Sequence, residues 1–111
     1  MPLPIVPANS AVESGNDEGI FGFGGGPYTN VSKLVSNVGV LSTDVTGIGT
    51  SRSYLSGTEY GGDKGLFGFG SASPGTYTGV TNLVSNTGVV SADVAGVGQA
   101  RNQNAGCAYG D

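Results

Sequence analysis

The chain has 111 residues, of which 22 are glycine and 11% are charged, and its formal net charge at pH 7 is −4. Only four residues are lysine or arginine, which excludes the clustered basic surface that nucleic acids require, so we expect no nucleic-acid partner. The chain has no histidine and one cysteine, Cys107, which excludes an internal disulfide, a cysteine-based zinc site and the common serine–histidine triad. We therefore expect no metal, no other cofactor and no enzymatic activity.

Residues 1–16 are predicted to form an extended N-terminal arm rather than part of a folded core. The arm begins with MPLPIVP, and prolines at this spacing prevent both a helix and a central strand. Leu3, Ile5 and Val6 are apolar, which favours docking of the extended arm onto another protein. No apolar run in the chain is long enough to cross a bilayer, so we expect no membrane insertion.

An internal repeat fills the rest of the chain. The stretch DEGIFGFG begins at Asp17 and DKGLFGFG begins at Asp63, and residues 33–52 recur with few changes at 82–101. Repeats of 20–50 residues are typical of propellers and of arrays of small structural units. We expect two repeats, at about 17–62 and 63–111.

Each repeat is predicted to hold four short strands and no helix. In GLFGFG the apolar residues alternate, which predicts a strand with Phe67 and Phe69 on one face. The high glycine content makes helices costly, so the predicted fold class is all-β with two four-stranded units. Asp44 and Asp93 hold equivalent places in the two repeats, and we interpret them as turn-stabilising residues rather than as a catalytic pair.

These motifs resemble the kelch type of β-propeller blade. An arginine heads one strand, a Tyr-Gly-Gly-Asp turn follows, and the next apolar strand ends in Gly-Phe-Gly. The combination of YGGDKGLFGFG with TNLVSNTGVVSADVAGVGQAR is similar to the tandem repeats of bacteriophage tail-associated and other virion proteins. The resemblance covers about residues 17–111 and implies propeller blades and a place in a phage virion. The chain departs from kelch repeats in lacking tryptophan, and from the phage arrays in having only two repeats.

Two blades are too few for a closed propeller, which typically has 4–8. The first repeat lacks a strand before Gly19–Gly24 and the second ends with a strand at 103–109 without a successor, so we expect these segments to pair between copies. Three chains then give a ring of six blades and four chains give eight; the threefold symmetry of phage fibres favours a homotrimer. The alternative is that residues 8–16 close the first blade within the chain. The predicted oligomer interface comprises Gly19, Ile20, Phe21, Phe23, Gln103, Ala105, Cys107 and Tyr109.

The predicted function is that of a small tail-associated subunit of a phage virion, in a fibre, tip or adaptor, with itself and other virion proteins as partners. One alternative is a capsid decoration or cement protein, whose arm lies across neighbouring subunits. A second alternative is an oligomeric lectin for a host-surface glycan, because loops with aromatic, hydroxyl and amide groups suit sugar rings. Its ligand-binding residues are Tyr28, Asn30, Tyr77 and Thr78, and packing between blades is the competing interpretation of the two tyrosines.

Overall fold

The computed structural model describes residues 17–110, and the predicted docking residues Leu3, Ile5 and Val6 lie outside this range. Within it the chain forms strands, bridges and turns and no helix, which confirms the predicted all-β class. In chain order the strands are β1 (Gly19–Gly24), β2 (Thr29–Val35), β3 (Ser56–Tyr60), β4 (Lys64–Gly68), β5 (Ser71–Ser73), β6 (Thr76–Tyr77) and β7 (Thr81–Val84).

The first sheet consists of β1 and β2, which pair antiparallel with Phe21 opposite Lys33. Its register breaks near Phe23, which has a positive φ of 63°. The equivalent residue of the second repeat, Phe69, has a φ of 67° and lies just past the end of β4. Positive φ is uncommon for residues with a side chain. The prediction that Phe67 and Phe69 continue one regular strand is therefore wrong at Phe69.

The second sheet consists of β3, β4 and β7 in that order, all antiparallel to their neighbours, with β4 in the centre. In the middle of the sheet Gly57 lies opposite Phe67 on one side, and Asn82 lies opposite it on the other. β3 comes from the end of the first repeat, whereas β4 and β7 belong to the second. The sheet thus crosses the sequence-repeat boundary at 62/63. The short strands β5 and β6 pair separately.

Both sheets are extended by a segment that runs beside the last strand through isolated bridges. The bridges are Thr29↔Arg52, Ser32↔Val45 and Val35↔Leu41 in the first repeat and Thr78↔Arg101, Thr81↔Val94 and Val84↔Val90 in the second. Each bridge of the first set corresponds to one in the second at the same repeat positions. Equivalent sequence therefore adopts equivalent backbone pairing in the two repeats.

The two sheets pack against each other through phenylalanine and glycine. The ring centroids of Phe23 and Phe67 lie 5.3 Å apart, and a Cβ at Gly22 would lie 3.0 Å from the Phe67 ring. Within residues 17–110 the buried apolar residues are Val84 and Val90, whereas the buried polar residues are Ser32, Arg52, Ser53, Ser71 and Asn82. Polar contacts therefore contribute much of what holds the described chain together.

Gly88 and Gly39 allow a matched test of the packing between the sheets. They are equivalent residues with φ of 82° and 83°; a Cβ at Gly88 would lie 2.8 Å from Leu34 of the first sheet, and one at Gly39 would have no neighbour within 4 Å. We expect G39A to lower the free energy of unfolding by about 1–2 kcal/mol through its backbone conformation. G88A should cost more than G39A, by about 1 kcal/mol at most, because the methyl groups of the half-buried Leu34 must move to make room. Urea unfolding measures both, and a loss in G88A no larger than that in G39A would contradict the close approach of Leu34.

Candidate interaction site

Arg52 is the central residue of the contact between the sheets. Its side chain is fully buried, and its guanidinium carbon lies 4.6 Å from the centroid of the Phe23 ring. Nε donates to the carbonyl of Phe69 at 2.8 Å, Nη2 to Oδ1 of Asn82 at 2.7 Å and Nη1 to the carbonyl of Thr50 at 3.2 Å. Arginine presents a planar fork of donors and stacks on aromatic faces, so one side chain joins both repeats.

Asp93 supplies the negative charge of this contact. Its carboxylate accepts hydrogen bonds from the Thr50 hydroxyl at 2.6 Å, the Thr50 backbone amide at 3.1 Å and the Asn82 side-chain amide at 2.9 Å. Nη1 of Arg52 lies 3.8 Å from its Oδ1. Because Thr50 and Arg52 belong to the first repeat, Asp93 also links the repeats. Its role is therefore broader than the turn-stabilising one predicted from the sequence.

The charges in this contact shift the pKa values of both partners. Burial raises the pKa of the Asp93 carboxyl, but hydrogen bonds from Thr50 and Asn82, together with Arg52, outweigh that effect and leave its pKa below the ordinary value of 3.8. Burial lowers the pKa of Arg52, and the nearby Asp93 carboxylate offsets part of that effect. Arginine remains protonated in proteins, so the contact holds one cation and one anion at neutral pH.

The contact has a donor side, Arg52, and an acceptor side, Asn82 with Asp93. Each side has an equivalent elsewhere in the described chain, where the other side is missing. Arg101, the equivalent of Arg52, is exposed and lies 5.3 Å from the centroid of the Phe69 ring. Lys33 and Asp44, the equivalents of Asn82 and Asp93, form an exposed ion pair at 3.2 Å on the first sheet. One complete contact therefore joins the two repeats. The second repeat also has an unused donor side, and the first repeat has an unused acceptor side.

A free strand edge lies next to the contact between the sheets. β4 is paired on both sides, by β3 and β7. Its equivalent β1 is paired by β2 alone, so within residues 17–110 no strand covers its other edge. A groove of about 650 Å³ opens between the sheets at this place, and its lining includes Glu18, Ile20, Gly57 and Leu66.

The predicted interface residues lie on two separate parts of the chain. Gly19, Ile20 and Phe21 are on β1, where Phe21 is 65% exposed. The segment 103–109 forms no strand and is mostly exposed, with Tyr109 97% exposed. It contacts β3, because the Asn104 side-chain amide donates to the Ser56 hydroxyl at 3.1 Å. The Gln103 backbone amide also donates to the carbonyl of Tyr54, which precedes β3, at 2.8 Å. Ala105 and the free thiol of Cys107 are exposed as well.

Two of the four predicted ligand-binding residues use their polar groups within the fold. The Asn30 amide donates to the carbonyl of Gly49 at 2.6 Å. The Thr78 hydroxyl accepts from the backbone amide of Val80 at 3.2 Å. Tyr28 is half-buried and Tyr77 is exposed. These contacts give Asn30, on β2, and Thr78 a structural role within the fold.

Arg52, Asn82 and Thr50 were not among the residues predicted to interact. A signal for Arg52 was present, because the repeats keep arginine at 52 and 101 in a chain with only four basic residues. No local pattern indicated Asn82, since its equivalent is Lys33 and the sequence does not show that this strand faces the other repeat. The sequence therefore did not indicate which face of this strand is buried.

No family model, curated protein or solved structure matches this chain. In residues 17–110 no helix is present that could span a membrane. The same part of the chain brings together no group of three or more histidine, cysteine, aspartate or glutamate side chains that could hold a metal ion.

The arginine contact makes Arg52 more sensitive to substitution than its exposed equivalent. Replacing Arg52 with lysine keeps the charge but removes the fork that joins Phe69, Asn82 and Thr50, so R52K should lower the free energy of unfolding by about 2–4 kcal/mol. R101K should lower it by less than about 1 kcal/mol in dilute protein, because that guanidinium is exposed. Urea unfolding of both variants tests the difference. Similar losses would show that burial of Arg52 contributes little.

Asp93 makes stability dependent on acid pH. Its folded-state pKa is below 3.8, so its contribution is fully present above the unfolded-state value and is lost as the pH falls through the folded-state value. We expect the free energy of unfolding of the wild type to fall more steeply below pH 3.8 than that of D93N, which cannot titrate at this position. Chemical unfolding between neutral and acid pH measures both curves. Parallel curves would refute the role of Asp93.

Proposed function

We propose that this chain is a structural and interaction subunit of a bacteriophage virion, a small tail-associated protein of a fibre, tip or adaptor. Copies join head to tail into a ring of propeller blades, six in a homotrimer, and the ring serves as a platform for other virion proteins. The observation that carries this proposal is the edge of β1 that no strand covers within residues 17–110. This edge lies beside a groove, at the place where β3 covers the equivalent edge of β4.

The pairing of β3 with β4 specifies which segment of another copy fits this edge. Residues 105–109 are equivalent to β3 in the sequence repeat, and β1 is equivalent to β4. β3 pairs with β4 with Thr58 opposite Leu66. Transfer of this register to two copies places Cys107 of one copy opposite Ile20 of the next. Unpaired strand edges readily accept another strand, and residues 105–109 are exposed and form no strand in the described chain.

The exposed apolar surface also favours assembly. Within residues 17–110 only two apolar residues are buried, while many large ones are exposed. Val38, Val40 and Leu41 are close together in the chain, and adjoining exposed apolar residues often mark an interaction surface. Exposed large apolar residues include Phe21, Val38, Val40, Leu41, Val89 and Val97. A subunit that works inside a larger assembly buries such residues there.

The phage assignment comes from the resemblance of the repeats to virion proteins, and the ring from the strand edge. A capsid decoration protein is the alternative, since it would use the same platform. The two differ in number, because decoration proteins occur at most capsomers whereas fibre components occur at few sites. The number of copies of this chain per purified particle, measured by quantitative mass spectrometry, distinguishes them.

A cysteine at Ile20 tests the proposed strand pairing. Directly opposite residues on antiparallel strands have Cα atoms about 4.5–5.5 Å apart, a range that permits a disulfide. I20C should therefore form disulfide-linked chains through Cys107 under mild oxidation, seen as multimers on non-reducing gels. F21C is the matched control and should stay unlinked, because neighbouring residues on a strand point to opposite faces.

The wild type, which holds Cys107 alone, gives the background for this test. Linkage of F21C but not I20C would show a register shifted by one residue and would contradict the proposed pairing. Failure of both variants to link above background would reject pairing between copies.

A further inference from the structure

We propose that the contact made by Arg52 recurs between copies, where Arg101 of one copy binds the outer face of the first sheet of the next, and that Lys33 weakens this second contact. The proposal rests on the assembly proposed above and adds to it the residues that determine its strength. The two contacts use equivalent positions but different side chains.

The inner contact defines what a complete site contains. Phe23 and Arg52 of the first repeat form a stacked pair, with 4.6 Å between guanidinium and ring centroid. This pair meets Phe67, Asn82 and Asp93 of the second sheet, through the ring contact at 5.3 Å and the hydrogen bond to Asn82 at 2.7 Å. One cation, one anion and a neutral amide therefore meet there.

The same stacked pair occurs on the outer side of the second repeat. The φ of Phe69 is 67°, close to the 63° of Phe23. The guanidinium carbon of Arg101 lies 5.3 Å from the centroid of the Phe69 ring. Arg101 is exposed, and its Nε donates to the Gln99 carbonyl at 3.4 Å. The donor half of a site is thus formed in advance at this end of the described chain.

The acceptor half occurs on the outer face of the first sheet. Phe21, the equivalent of Phe67, is 65% exposed there. A shallow hollow of about 230 Å³ is lined by Phe21, Phe23, Lys33 and Asp44 among others. The residues that line this hollow are equivalent to those that receive Arg52 on the second sheet. The occupant of the hollow is therefore the Phe69–Arg101 pair of a second copy. The carbonyl of Phe23 then takes the place of the Phe69 carbonyl as the acceptor for Nε.

Lys33 makes the second contact different from the first. In the inner site the neutral Asn82 accepts from Arg52 and donates to Asp93. At the equivalent position Lys33 offers only donors and a positive charge, and it already pairs with Asp44 at 3.2 Å. Arg101 and Lys33 would then share one carboxylate. Like charges across an interface oppose association, so the contact between copies is weaker than the contact within the chain.

Substitutions at position 33 test the proposal through the dissociation constant of the assembly, measured by analytical ultracentrifugation over a range of concentrations. K33N recreates the inner site and should tighten assembly roughly tenfold or more. K33M removes the charge without supplying the amide and should tighten it less. D44N leaves both cations without a carboxylate and should weaken assembly roughly tenfold. Circular dichroism checks that each variant keeps the fold.

The outcomes separate this inference from the assembly on which it rests. If I20C links through Cys107 but K33N leaves the dissociation constant unchanged or raises it, the strand pairing stands and the role of Lys33 is refuted. An unchanged constant in D44N refutes it equally. If neither the wild type nor K33N associates and I20C does not link, both proposals fail. Tighter assembly of K33N together with weaker assembly of D44N supports the inference.

Discussion

The buried guanidinium of Arg52 is the interaction on which the described structure depends most. It makes hydrogen bonds to Phe69 and Asn82 of the second repeat while it stacks on Phe23 of the first. A buried charge without partners is very costly, and the three hydrogen bonds of the Arg52 guanidinium restrict the relative position of the groups around it. Because so few apolar residues are buried, this geometric constraint specifies how the sheets meet.

The contact also explains why two repeats with nearly the same sequence are not interchangeable. Each repeat has one face with an arginine stacked on a phenylalanine. The opposite face of the second repeat receives such a pair through Asn82, and the equivalent face of the first repeat has Lys33 instead. In the proposed assembly, this exchange of an amide for an ammonium distinguishes the contact within the chain from the contact between chains. Discrimination of this kind requires an unfavourable element as well as a favourable one.

Sequence patterns predicted the all-β class and strands at 19–24 and 65–70, because alternating apolar residues and glycine-rich turns are local signals; the second strand is found at Lys64–Gly68. The conformations of Phe23 and Phe69 were not predictable from such signals, since residues with a side chain rarely adopt a positive φ. The free edge of β1 followed from counting strands per repeat. The partners of Arg52 could not be predicted, because they depend on which faces of the sheets meet. Asn82 and Asp93 are also residue types that are typical of turns and surfaces.

The position of β3 has a consequence for how such a protein can change in length. This strand belongs to one sequence repeat and completes the sheet of the next, so adjacent repeats are bound by backbone hydrogen bonds as well as by side chains. Duplication of one whole repeat would add a sheet whose first strand comes from the preceding repeat. The last segment of the added repeat would in turn supply the first strand of the next sheet. Chains of different repeat number can therefore arise by unequal recombination without breaking any sheet.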